Sequence, residues 1–170
     1  IPSKNRGRAK DFRTEVTTCP YCGVGCQLEL RIKDDEIIEV GSVYRDNTPN
    51  PSGEACVKGR FGLEFVSHPD RLKKPMIRKN DKLEEVEWKE ALDYVAERFT
   101  EIKEKYGPEA MAGLSSAKCT NEENFLMQKF MRAVIGTNSV DHCARLCHAS
   151  TVAGLVKAFG SGAMTNSISE

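Results

Sequence analysis

The chain has 170 residues, with 25 basic and 25 acidic side chains, so its formal net charge is zero. This balance favours neither nucleic acid nor an anionic membrane surface as a partner. No apolar stretch approaches the ~20 residues that cross a bilayer, and none resembles the apolar core of a signal peptide, so we expect no direct membrane insertion. The seven cysteines, several of them closely spaced, indicate a reducing compartment, most simply the cytoplasm. Because the chain begins without Met, we expect it to be a piece of a longer protein.

A basic arm and a hairpin are the first predicted elements. Residues 1–14 lack apolar periodicity and are expected to form a linker or arm with little structure. Gln27–Lys33 then alternates apolar and polar side chains, which predicts a half-buried strand. A polar turn at Asp34 and Asp35 and a second strand at 36–40 complete the predicted hairpin.

Four cysteines form the first candidate site, and they follow a C-x2-C-x3-C-x29-C series. They are Cys19, Cys22, Cys26 and Cys56. A [4Fe–4S] cluster needs four thiolates around a compact cube, and short spacers let one loop supply three of them. Gly23 and Gly25 free the backbone of this loop to curl closely around such a cluster. Residues 45–53 are rich in turn formers and return the fourth cysteine, so the series favours an iron–sulfur domain at 15–68.

Other readings of these cysteines stay open at this point. Structural zinc commonly takes two separate C-x2-C pairs in a tetrahedral site, whereas three of the cysteines cluster here. Cys19 and Cys22 alone form a C-x2-C dithiol pair typical of redox proteins, which leaves Cys26 and Cys56 unexplained. Lys58 lies two residues after the fourth cysteine and, taken by itself, is a solvated surface charge.

The second half of the chain changes to helical periodicity. Residues 69–82, with prolines near their start, are predicted to connect two domains. An apolar helical stripe follows, and Gly107 and Pro108 are expected to end it. The stripe consists of Trp88, Ala91, Leu92, Val95, Phe99 and Ile102. Residues 110–114 then predict a short buried strand.

A capping box predicts the start of a second helix. Thr120 and Glu123 stand in T-x-x-E order ahead of an apolar run, and a glycine stops the run. A short strand near Ser139 and a third helix at Ala149–Phe159 complete a helix–strand–helix–strand–helix order. This order predicts the opening of an α/β layer domain over 83–170.

The eight residues from Asp141 to His148 form the second candidate site. They include two of the chain's three histidines and two more cysteines, Cys143 and Cys147. They lie between a predicted strand end and a predicted helix start, where ligands gather in α/β domains and the helix dipole favours a thiolate. One interpretation is a thiolate that ligates a metal beside a histidine that transfers protons. A second zinc site and ordinary buried cysteines are the alternatives.

Four segments carry a resemblance to a known protein family, and the resemblance extends over nearly everything from about residue 15 onward. They are TTCPYCGVGCQLEL, GEACVKGRFGLEFV, SSAKCTNEENFLMQKFMRAVIGTNSVDHCARLCHASTVAGL and FGSGAMTNSI. They resemble the amino-terminal portion of the catalytic alpha subunit of molybdopterin-dependent formate dehydrogenases. The cysteine spacing is shared by the wider molybdopterin oxidoreductase family, whereas CARLCHAS points to formate dehydrogenase. The fold implied is a small β-rich [4Fe–4S] domain followed by the first part of an α/β pterin-binding domain, as in formate dehydrogenase and DMSO reductase-like proteins.

The resemblance implies ligands for the cluster and a route for electrons. The implied cluster ligands are Cys19, Cys22, Cys26 and Cys56. Lys58 would lie between the cluster and the pterin, on the path of the electrons, so the resemblance replaces its reading as a surface charge.

The resemblance also separates the residues of the second candidate site by role. Cys147 matches the position that supplies the protein ligand to molybdenum or tungsten, where many relatives carry selenocysteine. His148 matches a histidine that assists proton transfer in formate dehydrogenases. Periplasmic nitrate reductases share the cysteine ligand but typically lack that histidine. Cys119, His142 and Cys143 match no ligand position, so they are predicted to be structural.

The cofactors, reaction and partners implied by the resemblance follow from these roles. The cofactors would be a [4Fe–4S] cluster and a bis-molybdopterin guanine dinucleotide that carries molybdenum or tungsten. The enzyme would oxidise formate reversibly to carbon dioxide, with electrons leaving through the cluster to iron–sulfur subunits or domains. Because such enzymes are several times longer than this chain, we expect the fragment alone to be inactive. The alternatives are a non-catalytic iron–sulfur electron-transfer module, a zinc-stabilised interaction domain, or another molybdopterin oxidoreductase such as a nitrate reductase.

Overall fold

The structure, a computed structural model, describes residues 8–163. Short strands and helices follow one another along this range, so the fold is mixed α/β. The first seven residues of the predicted arm lie outside the described residues, as does the end of the FGSGAMTNSI segment.

The chain divides into two compact units. The first, which we call the cysteine unit, comprises the chain up to His68, the segment Ser115–Phe125 and the chain from His142 onward. The second, which we call the helical unit, comprises Pro69–Leu114 and Leu126–Asp141. The four cysteines of the first candidate site and residues 142–148 of the second therefore belong to the cysteine unit, although more than eighty residues of sequence separate Cys56 from Cys143.

An antiparallel sheet opens the cysteine unit, with its strands in the order β1 (Arg13–Thr18), β2 (Gln27–Lys33) and β3 (Glu36–Ser42). The predicted hairpin of β2 and β3 is confirmed. Its two turn residues, Asp34 and Asp35, have positive φ values of 52° and 60°, as a tight hairpin turn requires. The predicted unstructured arm at 1–14 is wrong at its end, because β1 begins at Arg13. Since β1 is mostly exposed, it shows little apolar alternation, and pairing with β2 makes it a strand.

The core of the cysteine unit combines side chains from the sheet, from the first cysteine loop and from the turn after α1 (Val57–Phe61). Its buried members are Cys19, Leu28, Val40 and Leu63. Arg60 of α1 donates a hydrogen bond to the carbonyl oxygen of Val40 at 2.9 Å and another to the hydroxyl of Ser42 at 2.8 Å. These bonds fasten α1, and with it the residue that precedes it, Cys56, to the end of β3.

A second hairpin begins the helical unit. β4 (Met76–Lys79) and β5 (Lys82–Glu85) pair antiparallel around Asn80 and Asp81, whose φ values are 47° and 63°. The hairpin lies mostly within the predicted connector at 69–82, and the sequence pattern did not predict it. Both strands are four residues long, and most of their side chains are exposed, so no apolar alternation marks them.

The longest helix of the described residues is α2 (Trp88–Tyr106), and it confirms the prediction from the apolar stripe. The helix ends where expected, at Gly107, whose φ of 83° suits glycine. Within the helical unit the ring of Phe99 lies 6.0 Å from the ring of Phe130. No helix among residues 8–163 is both long enough and apolar enough to cross a membrane.

The predicted capping box begins α3 (Asn121–Lys129). The Thr120 N–H donates to the Glu123 carboxylate at 2.7 Å, and the Glu123 N–H donates to the Thr120 hydroxyl at 3.2 Å. The helix continues as a π-helical segment, Phe130–Ile135, and ends at Gly136 with a φ of 93°. The predicted start and stop of this helix are both confirmed.

Two short strands, β6 (Gly113–Ser115) and β7 (Val140–His142), pair as a separate sheet. The strand predicted at 110–114 is wrong in its start and in its burial. Pro108–Ala110 forms a 3-10 turn that occupies the beginning of this stretch, and Leu114 is 76% exposed. The strand predicted near Ser139 and Val140 is confirmed as β7.

Two helices complete the cysteine unit. The short α4 (Ala144–Cys147) was not predicted, because four residues are too few to show a helical period. The longer α5 (Ala149–Phe159) has the predicted bounds, and Gly160 ends it with a φ of 78°. The second candidate site thus lies on β7, on α4 and at the junction between α4 and α5.

Candidate functional site

The four cysteines of the first candidate site line one pocket of about 630 Å³. They differ in exposure: Cys19 is buried, Cys22 and Cys26 are half-buried, and Cys56 is exposed. No three Cys, His, Asp or Glu side chains among the described residues are grouped closely enough to hold a single metal ion. The four thiols instead surround a space that is large enough for a multi-atom group.

Backbone geometry closes the loop that supplies three of the thiols. The Cys19 N–H donates to the Cys26 carbonyl at 2.8 Å, so the loop begins and ends at one hydrogen bond. Gly25 has a φ of 74°, a conformation that other residues rarely adopt. The Tyr21 hydroxyl donates to the carbonyl of Gly62. These contacts fix the loop at both its ends and at its middle.

Asn50 joins the two chain segments that carry the thiols, and sequence reasoning missed it. This side chain is 3% exposed. Its Oδ1 accepts a hydrogen bond from the Gln27 N–H at 2.8 Å, and its Nδ2 donates to the carbonyls of Gln27 at 3.0 Å and Glu54 at 2.9 Å. Gln27 follows Cys26, and Glu54 stands two residues before Cys56. Asn50 therefore holds the third and fourth thiols on the same pocket.

Cys56 lies at the residue before α1, where unpaired amide groups favour an anion. The N–H groups of Gly59 and Lys58 lower the pKa of its thiol, and the Lys58 ammonium contributes further to the lowered pKa. The Lys58 side chain is itself exposed. The structure thus favours ionisation of the Cys56 thiol and places a cation beside it.

Cys26 shows the opposite effect. Burial raises the pKa of its thiol, and the neighbouring Cys19 and Cys22 raise that pKa further. Thiols that suppress one another's ionisation bind most favourably to a group that supplies positive charge among them. The donor set of four thiols, the crowding and the pocket volume therefore fit an iron–sulfur cluster.

The second candidate site is organised around Cys143 rather than Cys147. The Ala117 N–H donates to the Cys143 sulfur at 3.2 Å, and the Ser116 hydroxyl lies 3.8 Å from that sulfur. These two contacts, the backbone one first, lower the pKa of the Cys143 thiol. His142 accepts, at Nδ1, a hydrogen bond from the Ala144 N–H at 3.1 Å. That Cys143 and His142 are structural stays a prediction.

The two residues predicted to act at the metal are placed side by side on the surface of the described chain. Cys147 is the last residue of α4, and His148 forms the junction with α5. Both are exposed, and neither lines the pocket of the four cysteines. The geometry leaves the Cys147 sulfur accessible to a group from outside the described residues.

Comparison with known proteins gives two family matches. Residues 12–68 match the molybdopterin oxidoreductase Fe4S4 domain, and residues 71–170 match the molybdopterin oxidoreductase family. The first match contains all four cysteines of the pocket, and the second contains Cys143, Cys147 and His148.

Curated relatives and a solved structure agree with these matches. A formate dehydrogenase alpha subunit from Methanococcus maripaludis is 51% identical over 91% of this chain and 22% of its own length. A putative formate dehydrogenase from Staphylococcus aureus is 46% identical over 96% of this chain and 16% of its own length. The chain thus spans about a fifth of such relatives. The solved structure of acetylene hydratase from Pelobacter acetylenicus matches with a TM-score of 0.57 at 24% identity. The match covers 84% of this chain and 20% of the acetylene hydratase chain, and it supports the fold.

Proposed function

The chain belongs to the molybdopterin oxidoreductase family, and we propose that it is the amino-terminal part of a formate dehydrogenase catalytic subunit. The proposed reaction of the whole protein is the reversible oxidation of formate to carbon dioxide. The strongest support is that four thiols line one pocket in a chain 51% and 46% identical to proteins named formate dehydrogenases. The proposed partners, besides formate and carbon dioxide, are iron–sulfur subunits or domains that accept the electrons.

The pocket is the proposed cluster site. The proposed ligands are Cys19, Cys22, Cys26 and Cys56. When bound, a [4Fe–4S] cluster supplies one-electron transfer. The chain contributes the amide groups of Lys58 and Gly59, which stabilise the Cys56 thiolate, and hydrogen bonds to such sulfurs tune a cluster's potential. Lys58, beside Cys56, is the proposed residue on the electron path toward the pterin.

Cys147 is the proposed protein ligand to molybdenum or tungsten, and His148 is the proposed group for proton transfer. A thiolate is a soft ligand that suits such a metal, and the exposed position of Cys147 at the end of α4 leaves its sulfur free to bind. The neighbouring imidazole of His148 belongs to the residue type that gains or loses a proton nearest neutral pH. The proposed cofactor is a bis-molybdopterin guanine dinucleotide, which would also be contacted by later parts of a longer chain.

The proposed domains follow the sequence predictions, with one extension. The cluster domain covers the predicted 15–68 and takes in the start of β1 at Arg13. Residues 69–82 are the proposed connector to the molybdopterin-binding domain, of which 83–170 form the beginning, and the residues before Arg13 are the proposed arm. All seven cysteines are free thiols, which fits a reducing compartment, and we place the protein in the cytoplasm on that basis.

Formate-dependent dye reduction by the full-length protein, combined with metal analysis, tests the proposed function. We expect iron together with molybdenum or tungsten, and dye reduction that requires formate. Changing a residue that only supports a metal ligand costs up to about 100-fold in activity. Because Cys147 is the proposed ligand itself, Cys147→Ala should lower turnover by more than that, while the iron content stays that of the wild type. Cys119→Ala, a change of another free thiol, is the matched control and should retain activity.

Other metal and substrate profiles would contradict the proposal in recognisable ways. Iron without molybdenum or tungsten, and without formate turnover, would make the protein an electron-transfer module. Reduction of nitrate in place of formate oxidation would assign it to a different molybdopterin enzyme. Zinc alone would remove both redox readings.

A further inference from the structure

A short segment of the cysteine unit makes hydrogen bonds to both candidate sites. We call it the bridge segment, residues 116–121, which follows β6 and ends at the first residue of α3. At one end, the Asn121 side-chain Nδ2 donates to the Gly23 carbonyl at 2.8 Å. At the other end, the Ala117 N–H donates to the Cys143 sulfur at 3.2 Å. The bridge segment therefore links the loop of the first three cysteines to the residues just before Cys147.

The contact at the cysteine loop leaves no room for a side chain at position 23 unless the Asn121 amide moves. A Cβ atom added to Gly23 would lie 2.4 Å from the Asn121 Oδ1, well inside normal contact distance. Gly23 stands between Cys22 and Cys26, two of the proposed cluster ligands. The Asn121 amide therefore lies directly against the backbone that positions the cluster.

The bridge segment is itself held in one conformation. The Asn124 side-chain Nδ2 donates to the carbonyls of Ser116 at 3.2 Å and Thr120 at 3.1 Å. The capping box of Thr120 and Glu123 fixes the same end of the segment. The four residue steps from Ala117 to Asn121 span at most about 14 Å, so the two anchor contacts lie within a short, constrained length of chain.

We propose that the bridge segment sets the position of the Cys147 turn relative to the cluster loop, with Asn121 and Cys143 as its positioning residues. The proposal rests on the proposed function for the identity of the two sites, but its contacts do not depend on it. Cys143 is the residue immediately before α4, and Cys147, four positions later, is the last residue of that helix. A displacement at either anchor is transmitted to the other through hydrogen bonds of the bridge. The Cys143 side chain is hydrogen-bonded to that of Cys147, and the Asn121 side chain to the Gly23 carbonyl. Neither is itself a proposed ligand, so both act through the residues they hold.

Exchange of Cys143 in the full-length, cofactor-loaded enzyme tests the proposal from one end. Cys143→Ala should change the low-temperature paramagnetic spectrum of the reduced cluster, although Cys143 is no cluster ligand. Because one hydrogen bond is lost, kcat should fall about 2- to 10-fold while the KM for formate stays within about twofold. Cys143→Ser keeps an acceptor for the Ala117 N–H and should restore both readouts. Asn138→Ala, at an exposed position of the helical unit outside the bridge segment, is the control and should leave the spectrum unchanged.

Substitution of Asn121 tests the proposal at the other end of the bridge segment, and the double variant shows whether the two residues act through the same bridge. Asn121→Ala should reproduce the effects of Cys143→Ala, and the two changes together should cost no more than the larger single effect, since both cut one bridge. Effects that multiply, or a cluster spectrum in Cys143→Ala identical to that of the control, would overturn the proposal. Iron content equal to that of the wild type shows that each variant has folded and loaded its cluster. A wild-type enzyme without formate turnover would refute the proposed function, while the cluster spectra would still decide the bridge.

Discussion

Asn50→Ala should loosen the cluster pocket without removing a ligand. The side chain makes three hydrogen bonds in a buried position, to the backbone of Gln27 and Glu54. A net contribution of about 1 kcal/mol for each bond gives about 3 kcal/mol in total. Because about 1.4 kcal/mol corresponds to a factor of ten, local opening of the segments that carry Cys26 and Cys56 should become roughly 100-fold more frequent.

Release of iron to a chelator measures this opening in the full-length, cluster-loaded protein. Asn50→Ala should lose iron roughly 100-fold faster than the wild type, by the same three-bond sum. Asn50→Asp has nearly the same shape and can still accept from the Gln27 N–H. Its carboxylate, however, would face the carbonyl oxygens of Gln27 and Glu54 in place of an amide donor. It should therefore release iron at least as fast as Asn50→Ala.

A matched change elsewhere separates this effect from a general loss of stability. Asn138 is an exposed asparagine of the helical unit, and Asn138→Ala should release iron at the wild-type rate. The reasoning fails if Asn50→Ala stays within about twofold of Asn138→Ala, because a loss that small is less than the lower estimate for a single hydrogen bond. It fails equally if Asn50→Asp retains its cluster, since the two hydrogen bonds that the Asn50 amide donates would then not contribute to cluster retention.

Three further predictions concern the same pocket. Cys22→Ser should change the low-temperature paramagnetic signal of the cluster, and an unchanged signal would remove Cys22 from the ligand set. In cluster-free protein, the lowered pKa of Cys56 should let it alkylate at lower pH than Cys26, whose pKa is raised; a reversed order, read by mass spectrometry across a pH series, would contradict the assigned causes. Gly25→Ala should speed iron release about 5- to 30-fold, from the 1–2 kcal/mol of left-handed strain at its φ of 74°, whereas Gly154→Ala, in a helix with open space around it, should not.

Local patterns predicted the elements whose own side chains carry the signal. The alternation of Gln27–Lys33, the apolar stripe of α2 and the T-x-x-E order before α3 each depend on residues within a few positions of one another. The elements that were missed have no such signal. β1 is exposed on most of its side chains and is a strand because it pairs with β2, and α4 is shorter than two helical turns. Pairing partners and short turns are properties of the folded chain rather than of a sequence window.

The same distinction applies within the candidate site. Cysteine spacing predicted which side chains could form the donor set, because ligand chemistry restricts both residue type and spacing. It could not predict Asn50 or Asn121, since an amide side chain has no chemistry that marks it as a support. Their roles come from partners 23 and 98 positions away in sequence. In the proposed function, the cysteines determine what the pocket can bind, and we propose that the two asparagines determine where the bound group is held. Substitutions at the asparagines should accordingly change retention and spectra while leaving the number of bound irons per loaded chain the same.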